Sequence, residues 1–565
     1  MINRNCQHCS NNFSVTEDDL KFYGKISPNF DGKAYEMPLP TLCPKCREQR
    51  RLAFRNERNI YGRKCDLCHK NIVSIYAPSV DIKYKQSHDA EPKSYKVYCQ
   101  SCWWSDHWNP LDYGKDFDFK RTFFEQFDEL LHRVPQLALF NARNENSEYA
   151  NFSEQDKNSY LVFASNRNED CYYSSYIWDS KNCMDCLSIE KSELLYECVD
   201  CLNCYNAKYS QNCQNCHDMA YCYDCGSCSN VFACAGLRGK SYCILNKQYS
   251  VEEYKKELQD PRKVQKILDE FDGLKTRTPR LYAKIINCEN VSGAYLLSCS
   301  NAHHCYESFD LKDAKYVENN PGGGRDIFDI NGSTNTQFGY ELVGVVCGYQ
   351  VAFCFVSLTK LSNSYYCVSC MKGNDLFGCI SLNNSQYCIL NKQYTKEEYQ
   401  KLVPKIIEHM QKTGEWGEFF PIAISPFAYN ETVAQNFYPL DKEEIIEKKY
   451  KWREENYKEY LPQTSEVNTN IGQVTNEITK EVFSCRQCKK NYRIILQELD
   501  FYRQMQLELP LKCPDCRYKD MLALRNPRKL WERNCTKCGS EIQTTYRPDR
   551  PENVYCGKCY LQEIY

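Results

Sequence analysis

The sequence predicts a multidomain, β-rich protein in which a cysteine-rich module at each end flanks a duplicated Cys/Tyr-rich repeat region with helical segments. Three observations support this prediction. At 565 residues the chain is too long for one compact core. Its 38 Cys and 44 Tyr are well above ordinary usage. The cysteines follow two patterns, evenly spaced pairs near the ends and dense clusters in the middle.

Cysteine at this density is typical of a disulfide framework in a secreted protein or of thiolate metal ligands in a reducing compartment. The first residues, Met1 to Cys9, lack the apolar core of a signal peptide. We therefore expect a cytoplasmic protein with free thiols and no membrane partner. The apolar stretch from Leu342 to Leu358 is interrupted by Gly344, Gly348 and Tyr349, and it is more typical of a pair of buried strands than of a membrane span.

Eight cysteines near each end form four Cys-x-x-Cys pairs. The sixteen residues are Cys6, Cys9, Cys43, Cys46, Cys65, Cys68, Cys99, Cys102, Cys485, Cys488, Cys513, Cys516, Cys535, Cys538, Cys556 and Cys559. This is the spacing of a zinc knuckle, in which a tight turn directs two thiolates at one ion and two pairs complete a tetrahedral site. The pattern predicts four structural Zn²⁺ ions, with no ligand position left for water. Joining consecutive pairs is the simplest assignment, and joining the first to the third and the second to the fourth is the alternative.

The two modules match each other, which indicates two copies of one design. In both, 18 residues separate the second pair from the third, and the second pair reads Cys-Pro-x-Cys-Arg. Arg51-Leu-Ala-Phe-Arg-Asn56 follows in one copy and Leu522-Ala-Leu-Arg-Asn526 in the other. These segments resemble the zinc-ribbon domain of a group of large cysteine-rich bacterial proteins. The resemblance covers about a third of the chain, and it implies zinc binding without implying a reaction.

The predicted fold class is therefore multidomain and β-rich, with two double zinc-ribbon modules of four-cysteine sites around a duplicated β-solenoid-like region. The expected segments are the N-terminal module 1–109, a helical connector 110–145, two repeat domains with closing helices 146–275 and 276–415, a helix and polar linker 416–480, and the C-terminal module 481–565. Helical spacing of apolar residues predicts a helix over Arg121 to Val134. Residues 440–461 are predicted to form a charged helix, and Pro462 to Lys480 a polar linker.

A basic connector joins the second and third cysteine pairs of each module. Its candidate nucleic-acid contacts are Arg47, Arg50, Arg51, Arg55, Arg58, Arg63, Lys64, Arg525, Arg528, Lys529 and Arg533. Basic side chains near Phe54, Tyr61 and Trp531 can contact phosphate and stack on bases. An equally physical interpretation is that the connectors neutralise the zinc–thiolate centres. Four Zn²⁺ on sixteen thiolates take the formal net charge from -2 to -10, so the whole chain is not a generally basic nucleic-acid binder.

The middle of the chain is itself duplicated. Cys225 to Tyr249 aligns without a gap on Cys370 to Tyr394, and a capping box follows each copy, Ser250 with Glu253 and Thr395 with Glu398, which predicts a closing helix. A polar residue followed by Tyr, Cys and β-formers recurs every 12 residues in the first copy and every 11 at Asn363, Asn374 and Ser385. Short β-rich runs at fixed spacing are typical of a β-solenoid or a related meandering sheet.

The 22 central cysteines have two interpretations. The favoured interpretation is a buried ladder, in which free Cys packs as a small apolar residue. The alternative is extra metal or redox sites, for which the residues retained at matching places in both copies are the candidates. These are Cys222, Cys225, Cys234, Cys243, Cys367, Cys370, Cys379 and Cys388.

The expected function is a zinc-binding scaffold or interaction protein that binds nucleic acid or a protein partner through its zinc-ribbon modules. The alternative is a metal-buffering or thiol-redox protein that uses the central cysteines. Catalysis is not expected, because Gly322-Gly-Gly-Arg325 lacks the Lys-Ser/Thr of a phosphate loop and His303-His304-Cys305 has no identifiable partner.

Overall fold

The computed structural model describes residues 1–30, 32–78, 94–346, 348–357, 360–454, 460–467 and 470–564. The chain forms two compact units. Unit 1 consists of Met1–Leu139 and Ala283–Glu454, and unit 2 of Phe140–Tyr282 and Glu455–Tyr565. Unit 1 therefore combines the N-terminal module with the second repeat region, and unit 2 combines the first repeat region with the C-terminal module.

The N-terminal module is a set of short hairpins and helices. Its elements are β1 (Ile2–Asn5), β2 (Asn12–Val15), α1 (Glu17–Ile26), β3 (Asn29–Phe30), β4 (Lys33–Ala34), α2 (Pro44–Leu52), β5 (Tyr61–Lys64), β6 (Asn71–Ser74), β7 (Val97–Tyr98) and α3 (Gln100–Trp103). The pairs β1–β2, β3–β4 and β5–β6 are antiparallel. The predicted helix that follows is confirmed as α4 (Phe123–Arg133), which opens on a capping box between Thr122 and Glu125. Next, β8 (Gln136–Leu137) pairs in parallel with β7.

The first repeat region is built from short strands, which pair in parallel except for the antiparallel last pair. They are β9 (Asn141–Ala142), β10 (Asn151–Glu154), β11 (Phe163–Asn166), β12 (Ser175–Trp178), β13 (Lys181–Met184), β14 (Leu187–Glu190), β15 (Glu193–Tyr196), β16 (Val199–Leu202), β17 (Tyr205–Lys208), β18 (His217–Ala220), β19 (Ser229–Phe232), β20 (Ser241–Ile244) and β21 (Lys247–Gln248). Parallel partners lie twelve residues apart, as in Asn151 with Phe163 and Phe163 with Ser175, so the predicted 12-residue rhythm is confirmed here.

A shorter period lies inside the twelve. From Phe152 to Leu245 every third residue has a positive φ, including Asn158, Asp170 and Asn182. Asn and Asp adopt this left-handed conformation more readily than other non-glycine residues, which explains why they punctuate the sequence. The residue after each such position faces the interior, so that Val162, Cys171, Ile177 and their successors at multiples of three form the core of this region.

The interior cysteines form the buried ladder that the sequence favoured. The Sγ of Cys186 lies 3.3 Å from the carbonyl oxygen of Met184, two residues before it, and 3.6 Å from that of Leu195, nine residues after it. The Oγ of Ser147 makes the same two contacts with Glu145 and Asp156, at 2.9 and 3.4 Å. Burial raises the pKa of the Cys186 thiol, so it stays neutral. Cys and Ser are therefore equivalent donors in this interior.

The first repeat region closes with α5 (Val251–Gln259) and α6 (Pro261–Arg277), followed by β22 (Arg280–Leu281). The second repeat region contains β23 (Ile285–Ile286), β24 (Glu289–Leu297), β25 (Ser300–Phe309), β26 (Leu311–Asn320), β27 (Gly322–Gln337), β28 (Leu342–Val346), β29 (Gly348–Ala352), β30 (Phe355–Ser357), β31 (Leu361–Tyr365), β32 (Asn374–Phe377), β33 (Gln386–Ile389) and β34 (Lys392–Gln393). It ends with α7 (Lys396–Thr413). The predicted capping boxes are confirmed at the starts of α5 and α7.

The second repeat region departs from two details of the prediction. The predicted 11-residue interval is wrong, because Ser362 pairs with Asn374 and Asn374 with Gln386, a ladder of twelve. The sequence motif begins at Asn363, but the residue that pairs with Asn374 is Ser362, one position earlier. The apolar stretch from Leu342 forms β28, β29 and β30 rather than two strands, with residues 347, 358 and 359 outside the described part of the chain.

The segment before the C-terminal module is less helical than expected. It contains α8 (Ala434–Phe437) and α9 (Lys442–Glu447). The predicted helix over 440–461 ends at Glu447, and residues 455–459 lie outside the described residues. The predicted linker holds two short 3₁₀ turns, and Arg503 donates to the carbonyl oxygen of Val474 at 2.8 Å, so it packs on the module that it precedes.

The C-terminal module repeats the plan of the N-terminal one. Its elements are β35 (Phe483–Ser484), β36 (Asn491–Tyr492), α10 (Leu496–Met505), α11 (Pro514–Ala523), β37 (Trp531–Asn534), β38 (Glu541–Thr544), β39 (Val554–Tyr555) and α12 (Gly557–Ile564). As β7 pairs with β8, so β39 pairs in parallel with β22 of unit 2. Among the described residues, no helix has the length and apolar composition that crossing a bilayer requires.

Replacing Cys186 by Ser is expected to change the free energy of unfolding by less than about 1 kcal/mol, because the hydroxyl reaches the same two carbonyl oxygens. Replacing it by Leu, which is larger and has no donor, is expected to cost about 1–3 kcal/mol. Urea denaturation followed by circular dichroism compares the two variants. Equal losses in both would contradict the equivalence of Cys and Ser.

Candidate metal centres

Four cysteine turns of the modules share one backbone design. In each, the N–H of the first cysteine donates to the carbonyl oxygen five residues later, from Cys6 to Asn11, Cys65 to Lys70, Cys485 to Lys490 and Cys535 to Ser540, at 2.8–2.9 Å. The residue after the second cysteine has a positive φ; these residues are Ser10, His69, Lys489 and Gly539. This turn directs both thiols of a pair to the same side.

The second pair of each module stands at the start of a helix. Cys43 and Cys513 are the N-cap residues of α2 and α11, and Pro44 and Pro514 occupy the first helical turn. Proline is suited to this position because its fixed φ matches the helix and its missing N–H has no partner there anyway. The helix N-terminus also stabilises negative charge on the thiolates beside it.

The structure brings all sixteen cysteines together as four groups. The groups are Cys6/Cys9/Cys43/Cys46, Cys65/Cys68/Cys99/Cys102, Cys485/Cys488/Cys513/Cys516 and Cys535/Cys538/Cys556/Cys559, and in each the four Sγ atoms lie within 4.8 Å of one another. Consecutive pairs are therefore joined, and the alternative that joins the first pair to the third is excluded.

The sulfur spacing suits a tetrahedral metal site. Sγ–Sγ distances are 3.7 Å for Cys9–Cys43, 3.9 Å for Cys68–Cys99, 3.6 Å for Cys488–Cys513 and 3.8 Å for Cys538–Cys556. A tetrahedron of sulfur atoms about 2.3 Å from a central ion has edges of about 3.8 Å. All four groups can hold a metal ion.

Backbone donors favour the thiolate form of Cys65 and Cys485, the first cysteines of two of these turns. Burial opposes ionisation of Cys485, but backbone N–H groups of Cys488 and Cys513 outweigh it and lower the pKa of Cys485 to about 6. Backbone N–H groups likewise outweigh burial at Cys65 and lower its pKa to about 7. One of them, the N–H of Cys99, donates to the Sγ of Cys65 at 3.3 Å. Deprotonation is what a metal ligand requires.

The four groups differ in exposure. Three cysteines are buried in the first group and three in the third, against one in the second and two in the fourth. The first and third groups also carry the helices α2 and α11. The better-buried group of each module is therefore the one from which its second helix begins.

In unit 1, helix α2 places three arginines of the basic connector against carboxylates of the second repeat region. Arg47 is 2% exposed and donates through Nε and Nη2 to the two carboxylate oxygens of Asp329 at 3.1 and 3.0 Å. Arg51 is fully buried and donates to the same carboxylate at 3.0 Å. Arg50 donates to Glu341 at 3.0 Å and to Glu418 at 2.8 Å.

Unit 2 repeats this arrangement. Arg517, the counterpart of Arg47, is 5% exposed and lies 2.9 Å from Asp185 and 3.3 Å from Glu498. Arg525 lies 3.1 Å from Asp200. In both units the arginine that follows Cys-Pro-x-Cys docks on an acidic residue of a repeat region.

These contacts correct the interpretation of the connectors. Arg47, Arg50, Arg51, Arg55 and Arg517 lie within their units rather than on a surface open to phosphate. The positive charges of these arginines are neutralised by protein carboxylates, and not only by the thiolate centres. Among the other candidates, Arg63 and Arg533 donate to carbonyl oxygens of their own modules. Lys529 lies 5.0 Å from the ring of Trp531. Arg58 and Arg528 are half-buried, and Lys64 is exposed.

The acidic anchors were missed by sequence analysis. Asp185, Asp200, Asp329 and Glu341 all have positive φ, so they occupy the left-handed positions at which side chains leave the coil. Other coils hold aromatic residues at the equivalent position, as Tyr173 does one coil before Asp185. If the sequence had been divided into groups of three residues, the acidic residues would have stood out at these positions.

The eight central candidates do not form a metal site in the described part of the chain. Cys222, Cys225, Cys234, Cys243, Cys367, Cys370, Cys379 and Cys388 are all buried, at 0–2% exposure. Among the described residues, the four terminal groups are the ones in which three or more ligand atoms converge. The central thiols instead face backbone carbonyls, as Cys379 does with Phe377 and Cys388 at 3.5 and 3.3 Å.

No protein-family model matches the chain. No curated protein matches it significantly. Among solved structures, the chain was aligned with the crystal structure of a putative acetyltransferase from Desulfovibrio desulfuricans G20, with 12% identity over 42% of this chain and 66% of that one. The TM-score of 0.10 is too low for this likeness to support any statement about fold or activity.

Replacing Asp329 by Asn is expected to lower the stability of unit 1 by about 3–5 kcal/mol, because two buried guanidinium groups lose their carboxylate. Asp185→Asn should have a matching effect on unit 2. Asp18→Asn is the control, since Asp18 is 84% exposed and pairs with an exposed Lys21, and such a pair contributes about 0–1 kcal/mol. Chemical denaturation measures all three; a loss in Asp329→Asn no larger than in the control would contradict the anchor role.

Proposed function

We propose that the four cysteine groups bind four structural Zn²⁺ ions and that the protein is a zinc-stabilised scaffold that presents its modules to a partner. The observation that carries this proposal is the set of four closed tetrahedra of thiols. Tetrahedral four-cysteine coordination is typical of structural zinc, and it leaves no position for a reacting water. The double zinc-ribbon interpretation of each module rests on the same groups.

The scaffold would be a β-solenoid in each repeat region. In the first repeat region, parallel pairing at an interval of twelve with a left-handed residue at every third position supports coils of four short sides. In the second, parallel partners lie 11 to 13 residues apart, which supports coils of similar size. Such a rod presents fixed columns of side chains along its length. Two neighbouring columns receive the docked module, one through Asp185 and the other through Asp200, in unit 2.

Zinc would couple folding of a module to its docking. Cys46 is a ligand of the first group and Arg47, the next residue, is the buried anchor. Cys516 and Arg517 are related in the same way. The metal holds the start of the helix, and the helix holds the arginine at the carboxylate. Binding energy on the order of 10–16 kcal/mol per zinc is enough to order such a module and its interface.

The metal-buffering or thiol-redox alternative receives less support. The interior thiols are buried and hydrogen-bonded, and burial raises the pKa of Cys234, as it does that of Cys243. A buffer or redox site requires accessible thiolates. The ladder also favours a reducing compartment, in agreement with the expected cytoplasmic location.

Native protein is expected to contain four zinc ions per chain, measured by inductively coupled plasma mass spectrometry against amino-acid analysis. Cys43→Ser should lower the content to three, because one tetrahedron loses a ligand. Cys186→Ser, the same chemical change in the interior ladder, should leave four. Clearly more than four ions would favour the buffer, and iron in place of zinc would contradict the assignment.

A strong chelator is expected to unfold both modules and to change the near-ultraviolet circular dichroism spectrum, because zinc binding supplies much of their folding energy. Zinc should leave in two phases, first from the more exposed second and fourth groups. A chromophoric zinc indicator follows the release. A spectrum unchanged after all zinc is removed would contradict the structural role.

A further inference from the structure

The first turn of the C-terminal module carries an unusual concentration of positive charge. We call residues 484–493, which β35 and β36 enclose, the basic hairpin. It contains Arg486, Lys489, Lys490 and Arg493, and neither Asp nor Glu occurs between Phe483 and Ile495. Arg486, Lys489 and Arg493 are exposed. The three exposed charges therefore form one local patch on a chain whose formal net charge is -2.

The N-terminal module provides an internal control for this patch. Its equivalent hairpin, between β1 and β2, has the same backbone, with φ of 60° at Ser10 and 65° at Lys489. The N–H of Cys6 donates to Asn11 and that of Cys485 to Lys490, both at 2.9 Å. Yet residues 7–14 are Gln-His-Cys-Ser-Asn-Asn-Phe-Ser, without Arg, Lys, Asp or Glu.

The comparison separates structural from functional charge. A four-cysteine group of this design is formed around the neutral hairpin as well as the basic one. Neutralising thiolates or stabilising the turn therefore does not require Arg486, Lys489 and Arg493. Among the described residues, none of these three side chains forms an ion pair with a carboxylate. Their charge is available to a partner.

The hairpin offers charge without an apolar anchor. Its one aromatic residue, Tyr492, is buried and donates its hydroxyl to the carbonyl oxygen of Pro510 at 2.7 Å. Protein–protein interfaces depend on buried aromatic or aliphatic anchors at their centre. Nucleic-acid backbones are instead bound by Arg and Lys on phosphate oxygens, independently of sequence. These features favour a polyphosphate partner over an acidic protein.

We propose that the basic hairpin binds the phosphodiester backbone of nucleic acid. Arg486 and Arg493 would each donate two N–H groups to a phosphate, and Lys489 would act as a point charge between them. This inference rests on the proposed function, because the hairpin needs its metal-bound group to hold the turn. It places the contact outside the connectors, whose arginines anchor the modules.

The test uses the full-length, zinc-loaded chain and a fluorescently labelled single-stranded RNA, with a DNA duplex as the second probe. Fluorescence anisotropy is measured between 50 and 200 mM NaCl. With three phosphate contacts the logarithmic salt slope on RNA should be about -2, and affinity should fall about 20-fold over this range. The variant Arg486→Gln/Lys489→Gln/Arg493→Gln should bind at least tenfold more weakly and with a shallower slope.

The matched control is Gln7→Glu/Ser10→Glu/Ser14→Glu, which changes the net charge by the same amount at the equivalent hairpin. It should bind RNA within about twofold of the unmodified chain, since its hairpin makes no phosphate contact. Equal losses in the two variants would overturn the proposal, because affinity would then follow total charge. Polyglutamate competing as well as RNA of equal charge would also overturn it, in favour of an acidic protein partner.

Zinc content and the far-ultraviolet spectrum are measured on every variant. A triple variant with four zinc ions and weak RNA binding supports the hairpin as the contact. If that variant loses zinc, Arg493→Gln alone, five residues beyond Cys488, takes its place with an expected loss of affinity of about threefold. An unmodified chain that holds four zinc ions but shows no salt-dependent RNA binding overturns this inference and leaves the proposed function intact.

Discussion

The buried pairing of an arginine with a repeat-region carboxylate is the interaction on which each unit depends. Arg47 and Arg51 share Asp329, and Arg517 meets Asp185, all in positions almost without solvent. A guanidinium in such a place is stable only when its partner is present, so the pair fixes where the module docks. Because the arginine directly follows a cysteine of a four-cysteine group, the candidate metal site and the docking contact are parts of one local arrangement.

The repeat regions satisfy a second constraint, that of a narrow interior. The interior of the coil holds Cys and Ser beside larger aliphatic residues such as Ile177 and Leu195. Cys and Ser are small, and their Sγ or Oγ also reaches carbonyl oxygens two residues before and nine residues after. The same turns favour Asn and Asp, which tolerate positive φ. Much of the Cys excess thus comes from backbone geometry rather than from chemistry.

Local sequence patterns predicted the structural features that depend on residues near one another in the chain. The spacing of the Cys pairs identified the groups that the structure assembles, and Ser250 with Glu253 identified the start of α5. Contacts between distant residues were beyond that method, because nothing near Arg47 in sequence indicates Asp329. The 12-residue rhythm was found, but its division into threes was not, since β-propensity and Tyr–Cys motifs drew attention to strands. Charged composition also overestimated the helix after residue 440, which ends at Glu447.

The duplication makes it possible to distinguish residues that hold the fold from residues that do something else. Where both copies keep a feature, as with Arg47 and Arg517, the shared architecture accounts for it. Where the backbone is the same and the side chains differ, the fold has no preference between them. Ser10 and Lys489 have the same conformation at the same place in a turn, yet only one is charged. A difference of this kind, on an exposed turn beside a four-cysteine group, is not required by the fold that the two modules share.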